Sequence, residues 1–472
     1  MTDQETSKAS PIEAVGHKIR PVGSTEYSWC KAVPGGTGIT VLALLLSKPL
    51  NIPLLQSALH KLQIAHPILN SQLYFDPTSS AFSCIISPAP QLQIQTFDLS
   101  STAQILQSNS SHLNSQSISP FHLILEHELN KNSWQNLDPS LETAVFLASL
   151  YTLENGRWVL ALRLHTSVCD RTSMAALRRG LSGMIGEGAV PLAVERVENE
   201  FGLGIENYIP SGKANKPFWA RGVDMLGYTL NAFRLANLSF KDTELPRASQ
   251  VVKLQLNSEE TDMILSRCKS RDIKLCGLLA AAGLIAARSL NGIPDDQWEK
   301  YAITTLVDCR SILDPVLSSH HIGFYHSAIL NTHDVKGGED LWKLATRTYT
   351  SFTNAKRNNK HFSDMADLNF LMCQAIDNPG LTPSASLRTS LLSVFEDSMI
   401  DQSKELQQVI GLEDFIGCGS THGVGPSLAL FDTIRDGELD CACVYPSPLH
   451  SREQMQEFVH EMKRVLLDGS IG

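Results

Sequence analysis

No stretch of this 472-residue chain reaches the roughly 18 consecutive apolar residues of a membrane-spanning helix. The N-terminus, MTDQETSKASPIEAVGHK, lacks the apolar segment of a secretory signal. Long Lys/Arg runs are also missing, and a net charge of -10 with a pI near 5.8 argues against a nucleic-acid footprint or a polybasic membrane patch. The ten cysteines are scattered. Their closest pair, Cys441 and Cys443, is separated by one residue with no Cys/His cluster nearby, so reduced core thiols are expected and a zinc site is not. A soluble cytoplasmic protein with no resident metal, no nucleic-acid partner and no transmembrane segment is the resulting expectation.

Several catalytic signatures are absent too. There is no G-x-S-x-G, no G-x-x-x-x-G-K-[ST], no H-E-x-x-H, and no dinucleotide fingerprint between a strand and a helix. Hydrolase, kinase and dehydrogenase readings lose their support.

What is present is a 43% apolar composition over a length that suggests roughly two or three domains. The run GITVLALLLS reads as a buried strand. IPLLQSALHKLQIAHP follows as a helix, with Leu54, Leu55, Ala58, Leu59 and Leu62 recurring at three- to four-residue intervals so that one face points into a core, and Pro67 as its stop. DLSSTAQILQSNSSHLNSQSISP, over 98–120, reads as a surface loop with at most a brief helical turn. RWVLALRLHTSV has the composition of a strand buried on both faces, and DRTSMAALRRGLSGMI continues as a helix capped by Asp170.

In the second half, VVKLQL, YAITTLVDCR and IGFYHSAIL read as strands, with helices through SEETDMILSRC and LCGLLAAAGLIAARSL. SLALFDTIRDGELDCACVYP reads as a hairpin turning at Asp436-Gly437. The last helix carries Ser451 and Gln454 at capping-box spacing and an apolar stripe through Met455, Phe458, Val459, Met462, Val465 and Leu466. An aromatic helix, KPFWARGVDMLGYTLNAFRL, places Phe218, Trp219, Met225, Leu226, Leu230 and Phe233 near one face, which suits packing between lobes, lipid binding or the lining of an acyl tunnel. Together these elements predict an α/β protein of two sheets covered by helices. The expected divisions are a mobile leader over 1–19, an N-terminal lobe over 20–190, a connection over 191–247 and a C-terminal lobe over 248–472.

The segment RLHTSVCDR stands at the corner between a strand and a helix. A histidine there can take a proton from an attacking hydroxyl or amine, and an aspartate beside it can orient the site or pair with an arginine. His165 and Asp170 supply these groups, although one His–Asp spacing among 15 histidines is a weak signal. His320 and His321 in SSHHIGFYH have no carboxylate at useful spacing. His422 lies in the glycine-rich loop GCGSTHGVGPS, where backbone can approach a ligand closely.

Four segments in order resemble the CoA-dependent acyltransferase superfamily of the chloramphenicol acetyltransferase fold, in its condensation-domain and alcohol acetyltransferase-like branches. They are STEYSWCKA with LLQSALHKLQIAHPILNSQL, then HTSVCD, then LVDCRSILDP with HHIGFYHSAIL, and last LALFDTIRDGELDCACVYPSPLHSREQMQEFVHEM. The resemblance covers roughly residues 20 to 468. It implies two similar lobes with a channel between them, entered by an acyl thioester from one face and an acceptor from the other. Acyl-CoA is then a co-substrate, no cofactor is bound, and a single chain, as a monomer, completes its own site.

In the family motif H-H-x-x-x-D-G the second histidine acts as general base or positions the nucleophile, and the aspartate is mainly structural and pairs with an arginine. Aligned through Asp170, the first histidine here is His165, the second is replaced by Thr166, and the glycine by Arg171. Asn70 replaces an arginine common at the end of the first helical segment, and the D-F-G-W-G loop of the plant branch is absent. The resemblance implies an acyltransferase acting on a hydroxyl or amine. His165 or His422 would be its base, Asp170 and Arg310 its orienting pair, and Thr166 a hydrogen-bond donor to substrate or oxyanion. Loss of the second histidine keeps an alternative open: a protein that retains the fold for ligand binding or regulation, or for chemistry such as cyclisation.

Overall fold

In the computed structural model, which describes residues 18–110, 118–136, 143–186, 202–217, 219–222, 227, 235–401 and 408–469, all ten residues Thr37–Leu46 of the apolar run are buried. The first half runs β1 (Lys18–Pro21), α1 (Ser24–Ala32), β2 (Thr37–Leu46), α2 (Ile52–Ala65), β3 (Ser71–Asp76), β4 (Ala81–Ile86), β5 (Ile94–Phe97), α3 (Leu99–Ser110), α4 (Pro120–Asn130), β6 (Thr143–Ala144), β7 (Phe146–Thr152), β8 (Trp158–His165) and α5 (Arg171–Gly186). The second runs β9 (Ala248–Leu256), α6 (Ser258–Ser270), α7 (Leu275–Leu290), β10 (Trp298–Asp308), β11 (His326–Lys336), α8 (Leu341–Arg357), a single turn at Lys360–Ser363, α9 (Met365–Asp377), β12 (Arg388–Phe395), β13 (Met399–Asp401), β14 (Leu412–Thr421), β15 (Gly425–Arg435), β16 (Glu438–Ser447) and α10 (Arg452–Asp468).

The continuous burial of β2 follows from its place in a five-stranded sheet of order β14-β2-β8-β7-β5, covered on both faces. On one face α2 and α5 bury Leu55, Leu59, Leu62, Leu177 and Leu181, and on the other α4 buries Ile124, Leu125 and Leu129. A larger mixed sheet of order β11-β10-β12-β15-β16-β9, with β13 beside β15, forms the second lobe, over which α7 and α10 pack. A third sheet, β1-β4-β3-β6, lies beyond the first. Strand β14 comes from the second half of the chain yet pairs antiparallel with β2, setting Gly419 against Thr40. That crossover, and a core in which Val251, Ala442 and Val444 join the residues of α4, stitch the two lobes together.

Most expected elements are present, and the hairpin turns where Asp436 (φ 52°) and Gly437 (φ 83°) take the left-handed conformation of a tight two-residue loop. The long polar stretch after Asp98 departs from expectation, because residues 99–110 are helical. Asp98 caps this helix through the Ser101 amide at 2.8 Å, while half-buried Ile105 and Leu106 pack onto the core beneath, which outweighs the weak helix propensity of Ser and Asn. Strand β11 also begins later than IGFYHSAIL suggests, at His326. The preceding backbone is spent on the other lobe: Gly323 N donates to Ser173 Oγ and Tyr325 N to Asp170. Of the predicted aromatic helix, Trp219 is 73% exposed, and Phe218, Met225, Leu226, Leu230 and Phe233 lie outside the described residues. No single described helix is long and apolar enough to cross a membrane.

The lobes are also joined by buried charge. Arg452 of α10 donates to both carboxylate oxygens of Glu126 in α4 at 2.8 Å and to Val251 O, and Glu126 in turn accepts from Val251 N. Breaking a buried ion pair on one side strands its partner. Glu126→Gln is expected to lower the unfolding free energy by about 3 to 5 kcal/mol, read by equilibrium denaturation. An unchanged midpoint would show that this clamp does not hold the lobes.

Candidate functional site

Strand β8 ends at His165, a short 3-10 turn covers Thr166–Val168, and α5 begins at Arg171, so the segment HTSVCDR forms the corner between them. Asp170 caps α5, accepting from Ser173 N at 2.8 Å. Its carboxylate is buried and reaches into the second lobe, where Arg310 Nη1 lies 2.8 Å from Oδ2 and Nη2 3.0 Å from Oδ1. Tyr325 N donates to the same Oδ2 at 2.8 Å. Burial alone would raise this carboxyl, but the Arg310 guanidinium, followed by His326, holds it well below the usual carboxylate range. Arg310 also contacts Asp308 and the carbonyl of His321, so the guanidinium has no freedom to leave.

Thr166 turns away from His165. Its Oγ1 donates to Gly38 O at 2.6 Å and lies 2.7 Å from Thr40 Oγ1. A carbonyl only accepts and each hydroxyl owns one hydrogen, so Thr166 gives its hydrogen to Gly38 and Thr40 gives its own to Thr166. Neither hydroxyl retains a donor for a substrate or oxyanion; what remains is acceptor capacity on Thr40. Gly38 takes φ +93°, and a Cβ there would stand 3.0 Å from both Thr166 Oγ1 and Trp29, so glycine allows this close approach.

The other two histidine candidates occupy different surroundings. His165 is 1% exposed, its ring set edge-on to buried Trp134 at 5.3 Å, with Nδ1 accepting from Ser167 N and lying 2.7 Å from Ser167 Oγ. Burial pushes it down to about 3, so the ring is neutral at physiological pH. His422 is half-buried at the end of β14, with Nδ1 3.0 Å from Ser249 Oγ; a Cβ on Gly36 would fall 1.9 Å from Nε2. Burial first, and Arg388 second, push it down to about 4. Arg388 fixes the loop through the carbonyls of Thr421, Gly423 and Pro426. The structure therefore brings Asp170 and Arg310 together, sets Thr166 beside Thr40, and holds His165 and His422 each in a separate clasp.

Arg171, in the place of the motif glycine, crosses the seam. It pairs with Asp432 at 3.1 Å, donates to Asp397 O at 3.0 Å and stacks 4.3 Å from the Phe395 ring. Around it a closed circuit of contacts joins the two lobes. Trp29, beside Gly38 and Thr166, lies 5.2 Å from Phe324. Phe324 leads to His326 at 6.2 Å, His326 to Phe395 at 5.9 Å, and Phe395 to Phe431 at 5.4 Å. Phe431 returns to Gly419, where an added Cβ would find it at 3.8 Å and Thr40 Oγ1 at 4.0 Å. His326, like the aromatic members of this circuit, is not singled out by residue patterns. It follows His320 and His321 in one short segment, with no local spacing that marks it, and only the pairing of β11 with β10 places it opposite Asp308 and close to Arg310.

Comparison with known proteins agrees with this architecture. Residues 245–355 match the family model for the phthiocerol/phthiodiolone dimycocerosyl transferase C-terminus. No curated protein sequence matches the chain. Among solved structures, the trichothecene 15-O-acetyltransferase from Fusarium sporotrichioides is similar at TM-score 0.69 and 12% identity, covering 96% of this chain and 95% of that one. The polyketide synthase associated protein 5 from Mycobacterium tuberculosis is similar at 0.65 and 15%, covering 96% and 98%. The condensation domain of the monacolin K polyketide synthase MokA is similar at 0.63 and 10%, also covering 96% and 98%. The chain shares the fold of these solved structures, two lobes each built on a sheet covered by helices.

Asp170 gives a test with a defined sign. Its folded-state pKa lies below the unfolded value near 3.9, so its contribution is complete above about pH 4 and is lost as pH falls further. Asp170→Asn is expected to cost about 3 to 5 kcal/mol at pH 7 and to flatten the acid side of the stability profile. A variant as stable as the wild type at pH 7 would remove Asp170 from its central place.

Proposed function

We propose that the protein transfers an acyl group from a thioester such as acyl-CoA to a hydroxyl or amine acceptor, at the seam between its two lobes. The acceptor heteroatom bonds to the acyl carbon, the C–S bond breaks, and the acceptor proton leaves with the thiol. The observation that carries this reading is the closed circuit through Thr166, Trp29, Phe324, His326, Phe395, Phe431 and Gly419. It sets polar groups among aromatic walls at the strand-to-helix corner, on a fold whose solved examples include an acetyltransferase and a condensation domain. Aromatic walls suit an apolar acyl chain or ring-bearing acceptor, and confinement of both reactants supplies proximity and orientation.

In this reading Asp170 and Arg310 hold the corner in register with the second lobe. A binding or regulatory role has its own support, since Thr166 stands where the family's base would be and its hydrogen is already committed. The two readings separate on turnover.

Thiol released from a panel of acyl-CoA thioesters, measured with and without candidate alcohols and amines, is expected to depend on the acceptor. Gly419→Leu places a side chain inside the circuit where the Cβ itself meets only ordinary contacts, and is expected to reduce turnover by roughly a hundredfold with the fold intact. Acyl-CoA binding with no acceptor-dependent thiol release across the panel would favour the binding role instead.

A further inference from the structure

We infer that His326 is the general base, supplied from the second lobe in place of the histidine that Thr166 replaces; this rests on the acyl-transfer reading above. Asp170 joins the two positions. Its backbone belongs to the corner beside Thr166, while its Oδ2 lies 3.0 Å from His326 Nδ1. No hydrogen bond to another group claims that Nδ1 among the described residues, so the carboxylate, shared with Arg310 and Tyr325 N, is the neighbour toward which its hydrogen points.

A neutral imidazole carries one hydrogen, so a hydrogen on Nδ1 leaves the lone pair on Nε2. None of the described residues bonds to Nε2. The ring, buried at 4% exposure, stands between Phe324 and Phe395 in the same circuit of contacts that passes through Thr166 and Thr40.

The other members of the circuit cannot take a proton near neutral pH: threonine hydroxyls and aromatic rings lack a suitable basic site, and Arg171 is already charged. His165 and His422 are basic but sit outside it, one against Trp134 and the other against Gly36 and Ser249. In the proposed step, Nε2 takes the proton of the acceptor O–H or N–H as that heteroatom bonds to the thioester carbonyl carbon. The imidazolium, beside Asp170, then returns the proton to sulfur as the C–S bond breaks, leaving free thiol, acylated acceptor and neutral histidine. Asp170 orients the ring through Nδ1, the part a carboxylate plays behind a histidine base.

The assignment is tested on the full-length protein in two ways. With an acyl-CoA and acceptor pair that the wild type turns over, His326→Ala is expected to lower kcat by about a hundredfold to ten-thousandfold while acyl-CoA binding persists, and added imidazole is expected to restore part of the rate. His326→Gln, which preserves more of the packing, should show the same loss without rescue. Turnover by His326→Gln within a few-fold of wild type overturns the base assignment and leaves acyl transfer standing.

The second readout needs no turnover: diethyl pyrocarbonate labelling mapped by mass spectrometry. Modification of His326 in the native wild type is expected even at its 4% exposure, and the label should vanish from that peptide in His326→Gln. A wild type in which His326 stays unmodified overturns the assignment. A wild type that labels at His326 but turns over nothing across the panel overturns the acyl-transfer reading, and with it the catalytic step, while leaving a reactive nitrogen at this position established.

Discussion

The buried carboxylate of Asp170 is the constraint on which the rest of this site depends. It closes the first turn of α5, holds Arg310 from the second lobe, and fixes the chain at Tyr325 just before β11. A carboxylate removed from water is tolerated only when opposing charge and hydrogen bonds surround it. Those partners come from both lobes, so one side chain sets their register. The wider seam repeats the pattern with Arg171 on Asp432, Arg178 on Asp401 at 2.6 Å, and Arg452 on Glu126. Buried ion pairs add little net stability over apolar contacts, but they are intolerant of misalignment, which fixes the register of the two lobes.

Arg171 illustrates how a departure from a family pattern has been absorbed. Where the motif has glycine, a guanidinium spans from α5 to β15 and lies over Phe395. The wall of the site thereby becomes part of the lobe-to-lobe joint. Thr166 is a departure of a second kind. The threonine links the Thr40 hydroxyl, which donates to it, to the Gly38 carbonyl, to which it donates, which makes it a structural part of the corner rather than a vacancy in it.

Much of the fold was legible from residue patterns because its strands and helices carry strong periodic signals. The ten-residue apolar run became β2, the stripe from Met455 to Leu466 became the buried face of α10, and Asp436-Gly437 turned the hairpin. The pairing of β14 with β2 was not legible, since no local pattern reports which sheet a strand joins. Nor was α3, where one aspartate cap and two apolar contacts overcame a serine-rich composition. At the site, Asp170 and Arg310 were readable as a pair only through the family resemblance. The setting of His165 against Trp134 and the committed hydrogen of Thr166 arise from tertiary contacts within the first lobe, the approach of His326 to Asp170 from a contact between lobes, and spacing in sequence carries no trace of them.

The account comes down to where the reacting carbon sits relative to one nitrogen. The most direct measurement is a crystal structure with a non-hydrolysable thioether analogue of acyl-CoA, read for the group that faces the carbon standing in for the thioester carbonyl. The expected result places that carbon at the seam, with His326 Nε2 within hydrogen-bond reach of an acceptor position beside it and Nδ1 still on Asp170. An analogue bound elsewhere, or bound at the seam with His326 turned away and His165 or His422 in its place, would contradict the account.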